Sequence, residues 1–150
     1  MTARVYSTRR SAIVNALVEK LKEIDGSGSY VSNVHRQVFP KLKFFDEIKD
    51  YPTLCVTAGQ EFRQYQAGGY RDRYLDVKIT VFIYEEEPLL ASEALLEDIE
   101  TVIETNGRLV YEDRTGTSQT THDITVLSIS TDEGTLDPIS IGEMTVRVHY

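Results

Sequence analysis

Apolar residues along this chain recur with two different periods. From Ser11 onward, Ile13, Ala16, Leu17, Leu21 and Ile24 follow the helical period, with Asn15, Glu19, Lys20 and Glu23 opposite them. Ser7 or Thr8 is placed to cap this segment and Gly26 to end it, which predicts a helix from about Thr8 to Asp25. A second helical stripe begins after Pro88, a residue suited to a first helical turn. Glu85, Glu86 and Glu87 precede it at the positive end of the helix dipole. Leu89 or Leu90, Ala94, Leu95, Ile99, Val102 and Ile103 form its buried face, and Gly107 ends it.

The alternating runs predict strands. In "YLDVKITVFIYE", Leu75, Val77, Ile79, Val81 and Ile83 share one face, and Asp76, Lys78, Thr80, Phe82 and Tyr84 the other. "TLCVTAG" is a strand that starts after Pro52 and pairs with it as a hairpin whose long tip, "QEFRQYQAGGYRDRY", turns at Gly68–Gly69. "ITVLSIST" and "IGEMTVRVHY" form a closing hairpin, with Met144, Val146, Val148 and Tyr150 on one face and Thr145, Arg147 and His149 on the other. "VSNVHRQVF" and "RLVYE" are weaker strand signals, and "PKLKFFDEIKDYP" is irregular with one helical turn around Phe44, Phe45 and Ile48. "GSGSY" is a flexible break, and "DRTGTSQTTHD" a polar loop with no core-forming residue. The fold class is α+β: a single domain in which a mostly antiparallel sheet of about four main strands is covered on one face by two helices.

Composition narrows the function classes. The 150 residues make about one domain and the hydrophobic fraction is 41%. A formal net charge of -8 opposes binding to nucleic-acid phosphates, although it suits a surface past which DNA must slide. Cys55 is the single cysteine, which leaves no internal disulfide. No apolar run approaches the roughly 20 residues that span a bilayer. "MTARVYSTRR" carries no secretion signal, so the expected compartment is cytoplasmic.

Candidate chemistry is sparse. The loop "STDEGTLDPISIGE" places Asp132, Glu133 and Asp137 together, but its acids lack the spacing of a calcium loop and nothing implies a pocket for paired carboxylates. A solvated hairpin turn is the leading reading and a contact surface the next, with catalysis the least favoured. His35, His122 and His149 are not at metal-ligand spacing, so no metal or other cofactor is expected. No nucleophile elbow or phosphate-cradling glycine loop is present. The hairpin tip, with Arg63, Tyr65, Tyr70, Arg71, Arg73 and Tyr74, is locally basic and aromatic. That mix favours a protein contact and would also stack single-stranded nucleic acid.

The order of "RRSAIVNALVEKL", "DYPTLCVTAGQE", "YLDVKITVFIYEE", "LLASEALLEDIETVI" and "ITVLSISTDEGTLDPISIGEMTVRVHY" resembles the tail terminator proteins of long-tailed bacteriophages. The patterns carrying the resemblance are "YP.L.V..G.E", "ISTDEG.L.P" and the strand running to Tyr150; residues 26–49 and 113–121 lie outside it. The resemblance implies a structural virion protein, assembled in the host cytoplasm. It implies a homo-hexameric ring that caps the tail tube protein, halts its polymerisation and offers a face to a head-side neck or connector protein, with double-stranded DNA passing through the lumen. On that reading Arg63, Tyr65, Tyr70, Arg71, Arg73, Asp132, Glu133 and Arg147 are expected at subunit or tube interfaces. Asp132 and Glu133 would pair with Arg71 or Arg73 of a neighbouring copy, and the hairpin tip and residues 113–121 would be ordered by a partner. Three other readings stay open on the residues alone: a different neck or head-completion ring protein, a small carboxylate-dependent enzyme, and an adaptor that binds peptides along its exposed strand edge.

Overall fold

In a computed structural model, which describes residues 7–150, the first helix α1 spans Arg9–Leu21. The lead-in read as lacking a secretion signal begins with residues 1–6, outside the described residues. Thr8 caps α1 in a reciprocal box with Ser11: the Thr8 hydroxyl accepts from the Ser11 N–H at 3.0 Å, and the Ser11 hydroxyl accepts from the Thr8 N–H at 3.0 Å. The helix ends four residues before the predicted limit. Ile24 is nonetheless fully buried, because the turn after Leu21 folds back and Ile24 accepts from the Val34 N–H. The buried stripe is Ile13, Val14, Leu17, Val18 and Leu21. Each of the fully buried residues contributes on the order of 1.5–3 kcal/mol.

The strands are β1 (Val38–Phe39), β2 (Thr53–Tyr65), β3 (Arg71–Tyr84), β4 (Val110–Glu112), β5 (Ser118–Thr120), β6 (Asp123–Thr131) and β7 (Ile139–His149), with helix α2 (Pro88–Thr105) between β3 and β4. Five form one sheet in the order β1-β2-β3-β7-β6, and β4 and β5 form a separate ribbon. Every pairing in the large sheet is antiparallel except β1 with β2. Both helices lie on one face, α1 over β1 and β2 and α2 over β3, β6 and β7. Between them and the sheet, Leu54, Val56, Leu75, Val77, Ile79, Val81, Met144, Val146 and Val148 are buried, as period-2 alternation requires. The other face is mostly open. At one end the segment before β2 crosses it, packing Ile48 and Tyr51 with Cys55, Phe82 and Ile141.

Several expectations are corrected. The predicted edge strand Val31–Phe39 shrinks to two residues and runs parallel to β2. Val31 and Ser32 are instead tied to α2, where the buried Asp98 carboxylate accepts from both of their N–H groups, the Ser32 contact at 2.7 Å. The "GSGSY" break therefore leads into an anchored segment. In α2, Leu89 and Leu90 are 37% and 67% exposed, while Ser92, Leu96 and Asp98 join the buried face. The polar loop after Glu112 contains β5 and the buried Thr121. The Thr121 hydroxyl accepts from the Leu109 N–H and donates to the Gly107 carbonyl, both at 2.8 Å.

Candidate assembly surfaces

β2 and β3 remain paired from Glu61↔Leu75 to Tyr65↔Arg71, so the predicted long tip is a rigid two-stranded arm closed by residues 66–70. Gly68 and Gly69 take φ of +82° and +84°, which the turn requires and an L side chain resists. A register shift between Ala58 and Glu61 sets Gly59 and Gln60 opposite Asp76, a bulge at the base of the arm. The Arg10 guanidinium donates to the Gly59 carbonyl there.

Tyr150 holds the base of the arm. Its backbone exchanges both hydrogen bonds with Arg73, and its hydroxyl donates to the Glu61 carboxylate. Burial, aided by the Glu61 charge, pushes the Tyr150 phenol up to about 12. Burial alone would raise Glu61, but hydrogen bonds from Tyr150 and Arg63 outweigh it and leave the carboxyl below its usual range. Arg9 and Arg73 lie over the Tyr150 ring at 5.3 and 5.7 Å, and Arg9 also donates to the Tyr111 hydroxyl at 2.9 Å.

The expected interface residues separate into two groups. Tyr65 and Tyr70 are 67% and 74% exposed at the arm tip, and Arg71 stacks over Tyr65 at 5.7 Å. These three are free to meet a partner. Arg63 is bonded to Glu61 at 2.7 Å, and Arg147 binds Asp76 with two hydrogen bonds of 2.8 and 3.2 Å while lying over Phe62. Both guanidiniums already have partners within the chain. His149 bonds Asp72 at 3.0 Å, stacks on Tyr74 and touches the His122 ring, which makes it a link in the arm's footing.

The acidic turn lies at the opposite end of the strands. Asp132 accepts from the Gly134 N–H and the Ser140 hydroxyl, both at 3.2 Å, so it shapes its own turn. Glu133 is exposed, with φ +57°. The start of α2 packs beside this turn, bringing Glu86 and Glu87 next to Gly134 and Asp137. One end of the subunit is therefore acidic and the other basic and aromatic. From Val81, level with Thr131, to Arg73, level with Tyr150, β3 advances eight residues, about 27 Å. For two copies whose strands lie side by side in the same direction, Asp132 and Glu133 of one meet Arg71 or Arg73 of the other only when the copies are displaced by about that length.

Residues 113–121, expected to await a partner, are ordered internally. The Asp113 carboxylate accepts from the Thr115 hydroxyl, the Thr115 and Thr117 N–H groups and the Gln119 amide. Those bonds, with Thr115 and Gln119 first, lower its pKa to about 2. Among the described residues no cluster of His, Cys, Asp and Glu has the makings of a metal site.

Residues 7–150, all but the first six, match the family described as Bacteriophage Tail Tube Terminator Protein. The chain belongs to the bacteriophage tail tube terminator family. It is 34% identical to the tail tube terminator protein p142 of Escherichia phage T5 over 149 aligned residues, covering 94% of this chain and 92% of that relative. A chain from the virion of a native gene transfer agent particle shares the fold, with a TM-score of 0.59 at 12% identity over 92% of this chain and 93% of that one. The terminator is thus a structural component of the virion tail, not an enzyme. The match extends through residues 26–49 and 113–121, the two stretches that carried no sequence resemblance. Asp98 and Thr121 were not singled out by sequence reading; a lone acid within an apolar helical stripe is the signal that could have found Asp98.

Proposed function

We propose that this terminator assembles as a homo-hexameric ring that caps the tail tube, stops its growth and presents its far face to a head-side connector. The observation that carries the reading is the family match over residues 7–150. The structure supplies surfaces suited to it. The arm tip, with Tyr65, Tyr70 and Arg71, and the acidic end, with Glu86, Glu87, Glu133 and Asp137, stand at opposite ends of the strands. A ring built with the strands crossing its thickness offers different chemistry to its two axial partners, the tube protein and the connector. The net charge of -8 suits a lumen through which double-stranded DNA passes without binding. On this reading the ring forms in the host cytoplasm, where the virion is assembled.

The test is the native mass and negative-stain image of the purified protein, alone and with tubes of the same phage's tube protein. Six copies of the 17.0 kDa chain in a six-fold ring are expected. A species of any other number, or a chain that stays monomeric in both settings, overturns the ring. Arg71→Glu and Glu133→Lys are expected to impair binding at different axial faces; loss of the same partner by both would refute the two-faced arrangement.

A further inference from the structure

Two patches complement each other, one beside the edge strand β6 and the other where the chain leaves the opposite edge strand β1 and crosses the open face of the sheet. The first is a groove between the outer shoulder of α2 and the edge strand β6. Its floor is Leu90, Ala94, Leu96 and Ile129, its rim is Glu93, Glu97 and Glu100, and its volume is about 390 Å³. Leu90 and Ile129 are 67% and 44% exposed. Among the described residues the outer edge of β6 pairs with no strand, its neighbour in the sheet being β7. Among the described residues none of the three glutamates is in an ion pair.

The second patch is the segment 40–45 that leaves β1. It carries Lys41 and Lys43 with no acid, and it exposes Leu42 and Phe44 at 61% and 76%. Phe45 anchors the segment by packing edge-on against Phe82 at 5.7 Å. That anchor fixes the segment before any partner arrives, which lowers the entropy lost on docking.

The two patches share one level of the sheet. Register places Phe39, Cys55, Thr80, Glu143 and Ser130 in a single row across the five strands. The basic apolar segment begins at one end of that row and the acidic apolar groove lies beside the other. A contact between unlike patches is heterologous; level patches let repeated copies turn about an axis along the strands without climbing, and the ring closes when the rotation per copy divides a circle.

We infer that the groove of one copy receives Leu42 and Phe44 of the next, with Lys41 and Lys43 over Glu93, Glu97 and Glu100. This contact rests on the ring reading and names the surfaces that build it. It is distinct from a pairing of Asp132 and Glu133 with arginines of the arm, which parallel side-by-side neighbours make only when displaced along the strands. A tail tube protein seated in the groove is the competing occupant; the matching of apolar and charged groups on the same chain favours a second copy.

The test joins Lys41→Cys and Glu97→Cys in one chain and treats it with a short thiol crosslinker, alone and on tail tubes. Cys55 is fully buried and its thiol is held protonated by burial, so it stays out of the reaction. The expected result is a ladder of linked copies ending at the closed ring. Rings that assemble without linking overturn this contact and leave the ring reading standing. Linkage of Glu97→Cys to the tube protein, read with a thiol-to-amine crosslinker of the same length, overturns it in favour of the competing occupant. Absence of any ring from the unmodified chain in both settings overturns both. Independently, Lys41→Glu with Lys43→Glu should weaken ring assembly by about tenfold or more, and adding Glu93→Lys with Glu97→Lys should restore it. Failure of the added pair to restore assembly counts against the contact.

Discussion

Replacing Tyr150 by Phe isolates the bond that ties the arm to the end of the sheet. The substitution keeps the ring and its packing against Tyr111 and removes only the hydroxyl that donates to Glu61. Tyr150 is 7% exposed and the Glu61 side chain 8%, so solvent screens the contact weakly. A hydrogen bond to a charged group is worth about 1.5–3 kcal/mol. Arg63 still compensates Glu61 at 2.7 Å after the change. The expected loss is therefore about 2 kcal/mol, or about 4–8 °C in Tm for a chain of this size. The phenol adds a pH signature. Its folded pKa of about 12 lies above the ordinary value near 10, so its contribution is complete below pH 10 and is lost as pH rises through 12. The wild type should approach the Tyr150→Phe variant in stability over that window. Urea unfolding across pH 7–12 measures both effects, and a cycle with Glu61→Gln measures the coupling, expected at about 1 kcal/mol or more. A variant within about 0.5 kcal/mol of wild type at pH 7, with additive behaviour in the cycle, would refute this account of the arm's footing.

Thr121→Val should cost about 1–3 kcal/mol in chemical denaturation, because it orphans the Leu109 N–H and the Gly107 carbonyl, and a change below the lower figure would contradict the role given to that hydroxyl. Gly142→Ala would set a Cβ 3.0 Å from the Ser92 hydroxyl and 3.2 Å from Leu96 under α2, with a loss of about 1–3 kcal/mol expected in the same assay; a neutral result would mean that α2 yields easily. Asp113 should titrate in NMR near its folded value of about 2. Its carboxylate orders residues 113–119 fully above the unfolded value near 3.9 and loses that effect as pH falls through 2, so amide protection there should fade in that window and nowhere above it.

What could be read from sequence follows burial. Leu75 to Ile83 and Met144 to Tyr150 alternate because one face of each strand packs on helices, and period 2 records it. The stripes of α1 and α2 are legible for the same reason. From Phe62 to Tyr65 the β2 side chains are exposed, so the strands are held there by backbone pairing and no apolar alternation marks them. The stretch therefore reads as a tip although it is strand. β5 is invisible because its stability comes from Asp113 and Thr121 hydrogen bonds, which leave no hydrophobic pattern. Arg147 looked available for a partner since its acceptor, Asp76, lies 71 residues away and only the register brings them together. Conversely, residue type alone sets Tyr65, Tyr70 and Arg71 as expected contact residues, and the structure leaves all three accessible. The acidic stripe Glu93, Glu97 and Glu100 is plain in the helical period, while the groove beside it exists only because β6 is the sheet's edge.

The most direct measurement adds the terminator to tail tubes of its phage while the tube protein is still polymerising, and follows tube length by electron microscopy. The expected result is a single ring at one end of each tube and growth that stops when the ring binds. Tubes that lengthen unchanged in saturating terminator, or terminator bound along their sides and not at an end, would contradict the capping function.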